Sequence, residues 1–100
     1  MSPDAKTLKY KRIIDKLNFN SLVCLLMMML KEKTNAEEMA QIIDEKKEDA
    51  EKLLDALTSI GLTEKFVKNG KVEYSLKREI AENKLLRARV GSRILSSLEG

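Results

Sequence analysis

Apolar residues recur at three- and four-residue steps along most of this chain, and at every second residue in one stretch. The clearest stripe is Ala50, Leu53, Leu54, Leu57 and Ile60, at offsets 0, 3, 4, 7 and 10, the spacing of one helix face. Gly61 follows it and predicts a left-handed residue that ends the helix, with Leu62 folding back on Leu57. Beyond Gly61 the period becomes two. Val72, Tyr74 and Leu76 alternate with Lys71, Glu73 and Ser75, and Asn69-Gly70 separates them from Lys65-Phe66-Val67-Lys68. Asn-Gly between two such runs is a strong hairpin signal, and a two-residue turn sets Val67 opposite Val72.

The remaining apolar positions predict four more helices. Residues 3–17 carry Leu8, Ile13, Ile14 and Leu17, with Ser2 as N-cap, Pro3 at the first helical position and Asp4 facing the dipole. Asn20 can cap a second helix over about 21–32, whose run LVCLLMMML at 22–30 reads as fully buried. Thr34 and Glu37 match a capping box for a third helix at about 35–43, burying Met39, Ile42, Ala40 and Ile43 before a turn at 44–47. A final helix runs unbroken over about 77–98 with Ile80, Ala81, Leu85, Leu86, Val90, Ile94, Leu95 and Leu98. The expected class is mainly α with a small β-hairpin (α+β), in one domain over residues 1–100, without an internal repeat.

Three segments in this order carry a family likeness. TNAEEMAQIID resembles the support helix of a winged helix-turn-helix domain, EDAEKLLDALTSIGL its recognition helix, and EKFVKNGKVEYSL the wing of the ArsR and MarR regulator families. The resemblance implies a helix-turn-helix at about 35–60, a wing at about 62–76, and terminal helices that form a dimer. It implies a transcriptional regulator that binds duplex DNA. One departure is Asp44-Glu45-Lys46-Lys47, which stands where a small turn residue is usual.

Charge complicates that expectation. The net charge of +3 is unevenly spread: residues 1–36 sum to +4, residues 37–60 to −5 and residues 61–100 to +4. A uniformly basic groove is excluded. With the apolar stripe inward, the outward set of the presumed recognition helix is Glu48, Asp49, Glu51, Lys52 and Asp55, which sums to −3. Such a face repels phosphates, whose neutralisation supplies most non-specific affinity. The cations expected to meet DNA are therefore Lys46 and Lys47 at the N-terminal edge, Lys52, and Lys65, Lys68, Asn69 and Lys71 of the wing. The wing lysines have an equally good bland explanation, since lysines keep an edge hairpin soluble. The alternative function is a protein-interaction module whose acidic helix, residues 44–55, docks a basic partner.

The chemistry of an enzyme is missing. There is no His, no glycine-rich phosphate loop and no nucleophile motif, so no activity and no cofactor are expected. One Cys and no His leave a metal site almost without soft ligands, including the metal sensing known among ArsR proteins. Cys24 sits in an apolar run and reads as packing; Met27, Met28 and Met29 read as core rather than as an adaptable pocket. A lone cysteine fits a reducing cytosol, no signal peptide precedes the first helix, and nine apolar residues are about half a membrane span, so a cytoplasmic protein is expected. Four aromatic residues are too few for base-stacking platforms. Dimer contacts are expected from the last helix, through Leu85, Ala88 and Leu95 or through Leu86, Val90 and Ile94, leaving its arginines outside; the simpler alternative is packing on the chain's own first helix.

Overall fold

Local capping decides where each helix begins. In the computed structural model, which describes residues 4–99, α1 spans Ala5–Asp15 and Asp4 is itself the N-cap, its carboxylate accepting from the Thr7 amide at 2.8 Å. The expected start at Ser2 and Pro3 lies outside the described residues. Helix α2, Phe19–Lys31, is capped by Asn18 and not Asn20, because Asn18 stands two residues before Asn20 and its side chain accepts from Ser21 N at 2.9 Å. Helix α3, Ala36–Ile43, is capped by Asn35, which accepts from Glu38 N at 2.8 Å. Thr34 lies one residue too early to cap and bonds the Glu38 carboxylate instead.

The turn between α3 and α4 (Lys47–Ser59) explains the departure at Asp44. Asp44 takes a left-handed conformation at φ 55°, and the Glu45 amide closes on the Ala40 carbonyl at 2.9 Å. Aspartate is among the few residues with a side chain that tolerate this region, so it substitutes for a smaller residue. At the other end of α4, Gly61 sits at φ 88°, Leu62 N bonds Leu57 O at 3.0 Å and Gly61 N bonds Thr58 O at 3.1 Å. That is the expected Schellman closure, and Leu57 and Leu62 are both buried.

Strands β2 (Thr63–Lys68) and β3 (Lys71–Leu76) form the predicted hairpin, with Val67 opposite Val72 and the turn residues Asn69 and Gly70 both at positive φ. A third strand escaped prediction. The two-residue β1, Lys33–Thr34, pairs antiparallel with β3, giving the order β1-β3-β2. Two residues are too few to show a period.

The last helix is broken. Helix α5 covers only Arg78–Ala81, and α6 runs Lys84–Glu99. Ile80 and Leu86 are both fully buried, yet on one straight helix they would point about 120° apart, so the chain must bend between them. Asn83 makes the bend: its side-chain Oδ1 accepts from Leu86 N at 3.1 Å and its side-chain Nδ2 donates to Thr7 Oγ1 at 3.1 Å.

The core lies where α2, α4, α6 and the sheet converge, built from Ile14, Leu22, Leu25, Met39, Leu54, Leu57, Tyr74, Ile80, Leu86 and Val90. Several expectations of burial need correction. α2 is not buried all round: Cys24, Leu25 and Met28 are interior, Met27 and Met29 half-buried, and Leu30 is 67% exposed. Ile42 is exposed because α3 turns Ala36, Met39, Ala40 and Ile43 inward, and Ile42 falls off that stripe. Leu8 falls off the Thr7, Tyr10 and Ile14 face of α1 and Ile60 is the C-cap of α4, and both are exposed. No helix among the described residues is long and apolar enough to cross a membrane.

Candidate nucleic-acid interface

Two elements present cations beside one another. The first is the α4 N-terminus, where Lys46 occupies the N-cap position without a side-chain cap bond and Lys47 opens the helix. Orphan amides of a first helical turn carry partial positive charge, so the lysines add to an already positive end. The Glu37 carboxylate lies 3.5 Å from Lys47 Nζ; the pair is exposed and contributes little.

The second element is the hairpin. Lys68 and Lys71 pair directly across its last rung, both exposed, with Asn69-Gly70 as the tip. Directly opposed like charges are destabilising in a sheet. An anion laid over the tip relieves that repulsion, whereas solubility alone does not require the two lysines to face each other. Between the hairpin and the starts of α3 and α4 runs a groove of about 370 Å³, lined by Lys47, Lys65 and Lys71 against Glu37 and Glu51.

The predicted contact residues thus separate into groups. Lys47, Lys65 and Lys71 meet in the groove, Lys68 and Asn69 are at the tip, and Lys46, the N-cap of α4, and Lys52, farther along it, are exposed outside the groove lining. Glu48, Asp49 and Glu51 stay on the exposed face, as the stripe predicts.

Asp55 does not belong to that face. The Tyr74 hydroxyl donates to Asp55 Oδ1 at 2.6 Å, and Lys65 Nζ reaches the same oxygen at 3.0 Å while lying 5.7 Å from the Tyr74 ring centroid. The Tyr74 bond, then Lys65, holds the Asp55 carboxyl below its ordinary value, and Lys65 is raised in turn. Burial, followed by the Asp55 bond, pushes the Tyr74 hydroxyl up to about 12. Asp55 and Tyr74 are 19 residues apart on different elements, so no local spacing signals the contact. The only sequence clue is that Tyr74 is an inward residue whose hydroxyl must find a partner.

The terminal helices also depart from expectation. Leu86, Val90 and Ile94 are buried in the protomer's own core and give no surface to a second copy. Leu85 and Leu95 remain exposed, with Ala88 between them. Two of the arginines expected outside are turned toward α1: Arg89 pairs with Asp15 at 2.6 Å and Arg93 donates to the Ile14 carbonyl at 2.8 Å. Cys24 is fully buried, and burial raises its thiol to about 12, consistent with packing.

A helix-turn-helix closed by a lysine-tipped hairpin defines a winged helix-turn-helix fold. Solved structures share it. ZitR from Lactococcus lactis, solved as a mutant, matches at 16% identity over 84% of this chain and 59% of its own, with a TM-score of 0.64. YusO from Bacillus subtilis matches at 14% identity over 92% of this chain and 64% of its own, also at 0.64. ST1889 from Sulfolobus tokodaii matches at 23% identity over 93% of this chain and 95% of its own, at 0.53. The chain therefore spans less than two thirds of the ZitR and YusO chains. No family model matches the sequence, and no curated protein does.

Proposed function

We propose that the chain is one winged-helix domain that binds duplex DNA, acting in the cytoplasm as a dimeric transcriptional regulator of the general kind the ArsR and MarR likeness implies. The observation that carries this reading is the Lys68–Lys71 rung at the hairpin tip, set beside the Lys46–Lys47 end of α4. Contacts run along phosphates through the wing and the N-terminal edge of α4, with its acidic flank close enough to the backbone to oppose them. Dimerisation uses the exposed Leu85–Ala88–Leu95 stripe of α6, which repeats on one face away from the core.

The deciding experiment is an anisotropy titration of labelled duplex DNA at low and moderate salt. Counterion release requires affinity to fall steeply as salt rises. Binding that is absent at low salt, or indifferent to salt, would refute the reading.

A second reading is favoured by one observation: Glu48, Asp49 and Glu51 are exposed and make no ion pair among the described residues. On this reading α4 docks a basic protein, and a variant that neutralises those acids loses that partner while gaining nothing for DNA.

A further inference from the structure

The hairpin has a fixed root and an unsupported tip. Tyr74, Leu76 and Thr63 are buried, but from Phe66 to Glu73 no residue is buried, and Val67 is 69% exposed. The Lys65–Tyr74 rung is therefore the last point at which the wing touches the interior. A two-stranded ribbon without apolar cover is marginal in water, so whatever grips that rung decides how the remainder is aimed. On its outer side Tyr74 is paired with Thr34 of β1; the grip from α4 is Asp55, two turns into that helix, whose one carboxylate oxygen takes both the Tyr74 hydroxyl and the Lys65 ammonium.

We infer that Asp55 is the positioning residue of the wing: by tying Tyr74 and Lys65 to α4, it fixes the angle of the hairpin and so the span between Lys68–Lys71 and Lys46–Lys47. The span matters only if the DNA-binding reading holds; the tie itself is independent of it. The carboxylate stays ionised at neutral pH, because both partners hold its proton affinity down. Asp55 is then an acid on the reading helix that organises the cations instead of repelling DNA, and Lys65 is a structural partner more than a phosphate contact.

Two variants test this in the full chain. Tyr74→Phe removes the donor without changing any charge, and Asp55→Ala removes the acceptor on a helix that alanine favours. Hydrogen exchange at the Phe66 to Val72 amides should quicken about tenfold in each, with α4 amides much less affected, and the double variant should be no worse than either single one. Asp55→Asn still accepts from Tyr74 and should restore most of the protection. Duplex affinity should fall about threefold or more in Tyr74→Phe, and also in Asp55→Ala although that change removes a negative charge. Glu48→Ala, with the same charge loss and no tie, should not lower it. Unchanged wing exchange in both variants overturns the inference. Faster exchange with undiminished affinity, in a protein that binds duplex DNA, overturns the positioning role. If the unaltered protein shows no salt-dependent binding, the DNA reading fails, and the exchange result still decides the tie.

Discussion

Replacing Glu48 and Glu51 by glutamine removes two exposed charges from α4 and leaves the Ala50, Leu54 and Leu57 face and the Asp55 tie untouched. Glutamine is about as good a helix former as glutamate, so the fold should survive. A unit charge about 10 Å from a phosphate is worth about 0.4 kcal/mol in water before screening. At 0.01 M salt a Debye length of about 30 Å leaves about 0.3 kcal/mol, and at 0.15 M, where it is about 8 Å, about 0.1. Two carboxylates each facing about three phosphates then oppose binding by about 2 kcal/mol at low salt and about 0.7 at the higher. Affinity for arbitrary duplex should rise about twentyfold at low salt and about threefold at moderate salt. Fluorescence anisotropy at the two salt concentrations reads this directly, with circular dichroism as the control for folding. A well-folded variant whose low-salt affinity does not move would show that this face of α4 does not approach DNA, and the protein-docking reading would take over.

Lys68→Ala with Lys71→Ala should weaken binding on all sequences alike and flatten the salt dependence by about one unit per lost contact; unchanged affinity would remove the wing from the interface. Leu95→Glu should convert a dimer to a monomer in light scattering while leaving the melting temperature nearly unchanged, whereas Leu86→Ala, at a fully buried position, should cost about 2–5 kcal/mol of stability. An unaltered protein that is monomeric at high concentration would end the dimer proposal. Asp15 has its carboxyl lowered below the ordinary 3.8, by the Arg89 bond first and then Lys11, so its contribution is present above that value and lost as pH falls through the folded one. Asp15→Asn should therefore flatten the acid limb of a stability-against-pH curve below about pH 4, and an unchanged limb would show that this pair does not carry it.

What could be read from the sequence was what is settled locally. Asn69-Gly70 and the alternation around it yielded the hairpin and its register, since only a few residue types suit that turn. Gly61-Leu62 yielded the end of α4 for the same reason. Caps were misplaced by one or two residues where two capable residues stand close together, Asn18 with Asn20 and Thr34 with Asn35; which of them caps depends on how the preceding chain arrives. The break at Glu82-Asn83 was missed because no Gly or Pro marks it, and apolar residues continue on both sides. The seven proposed DNA contacts are all exposed, as a contact must be, but exposure alone decides little. The Asp55 tie lay beyond reach, since its members come from α4, β2 and β3 and nothing in their spacing announces the meeting.

The bonds between α1 and α6 join the two ends of the chain. Asn83 to Thr7, Arg89 to Asp15 and Arg93 to Ile14 bridge separations of 76, 74 and 79 residues. The α3–α4 pair and the hairpin, by contrast, form between chain neighbours and need little loop closure. Folding should therefore assemble the middle first and seat the ends last, with α6 docking on α2 and α1 then closing against α6. Clipping the chain after Asn83 would then loosen the first helix as well as remove the last, since the Arg89 and Arg93 bonds leave with α6 and α1 keeps only its ties to Glu79 and Asn83.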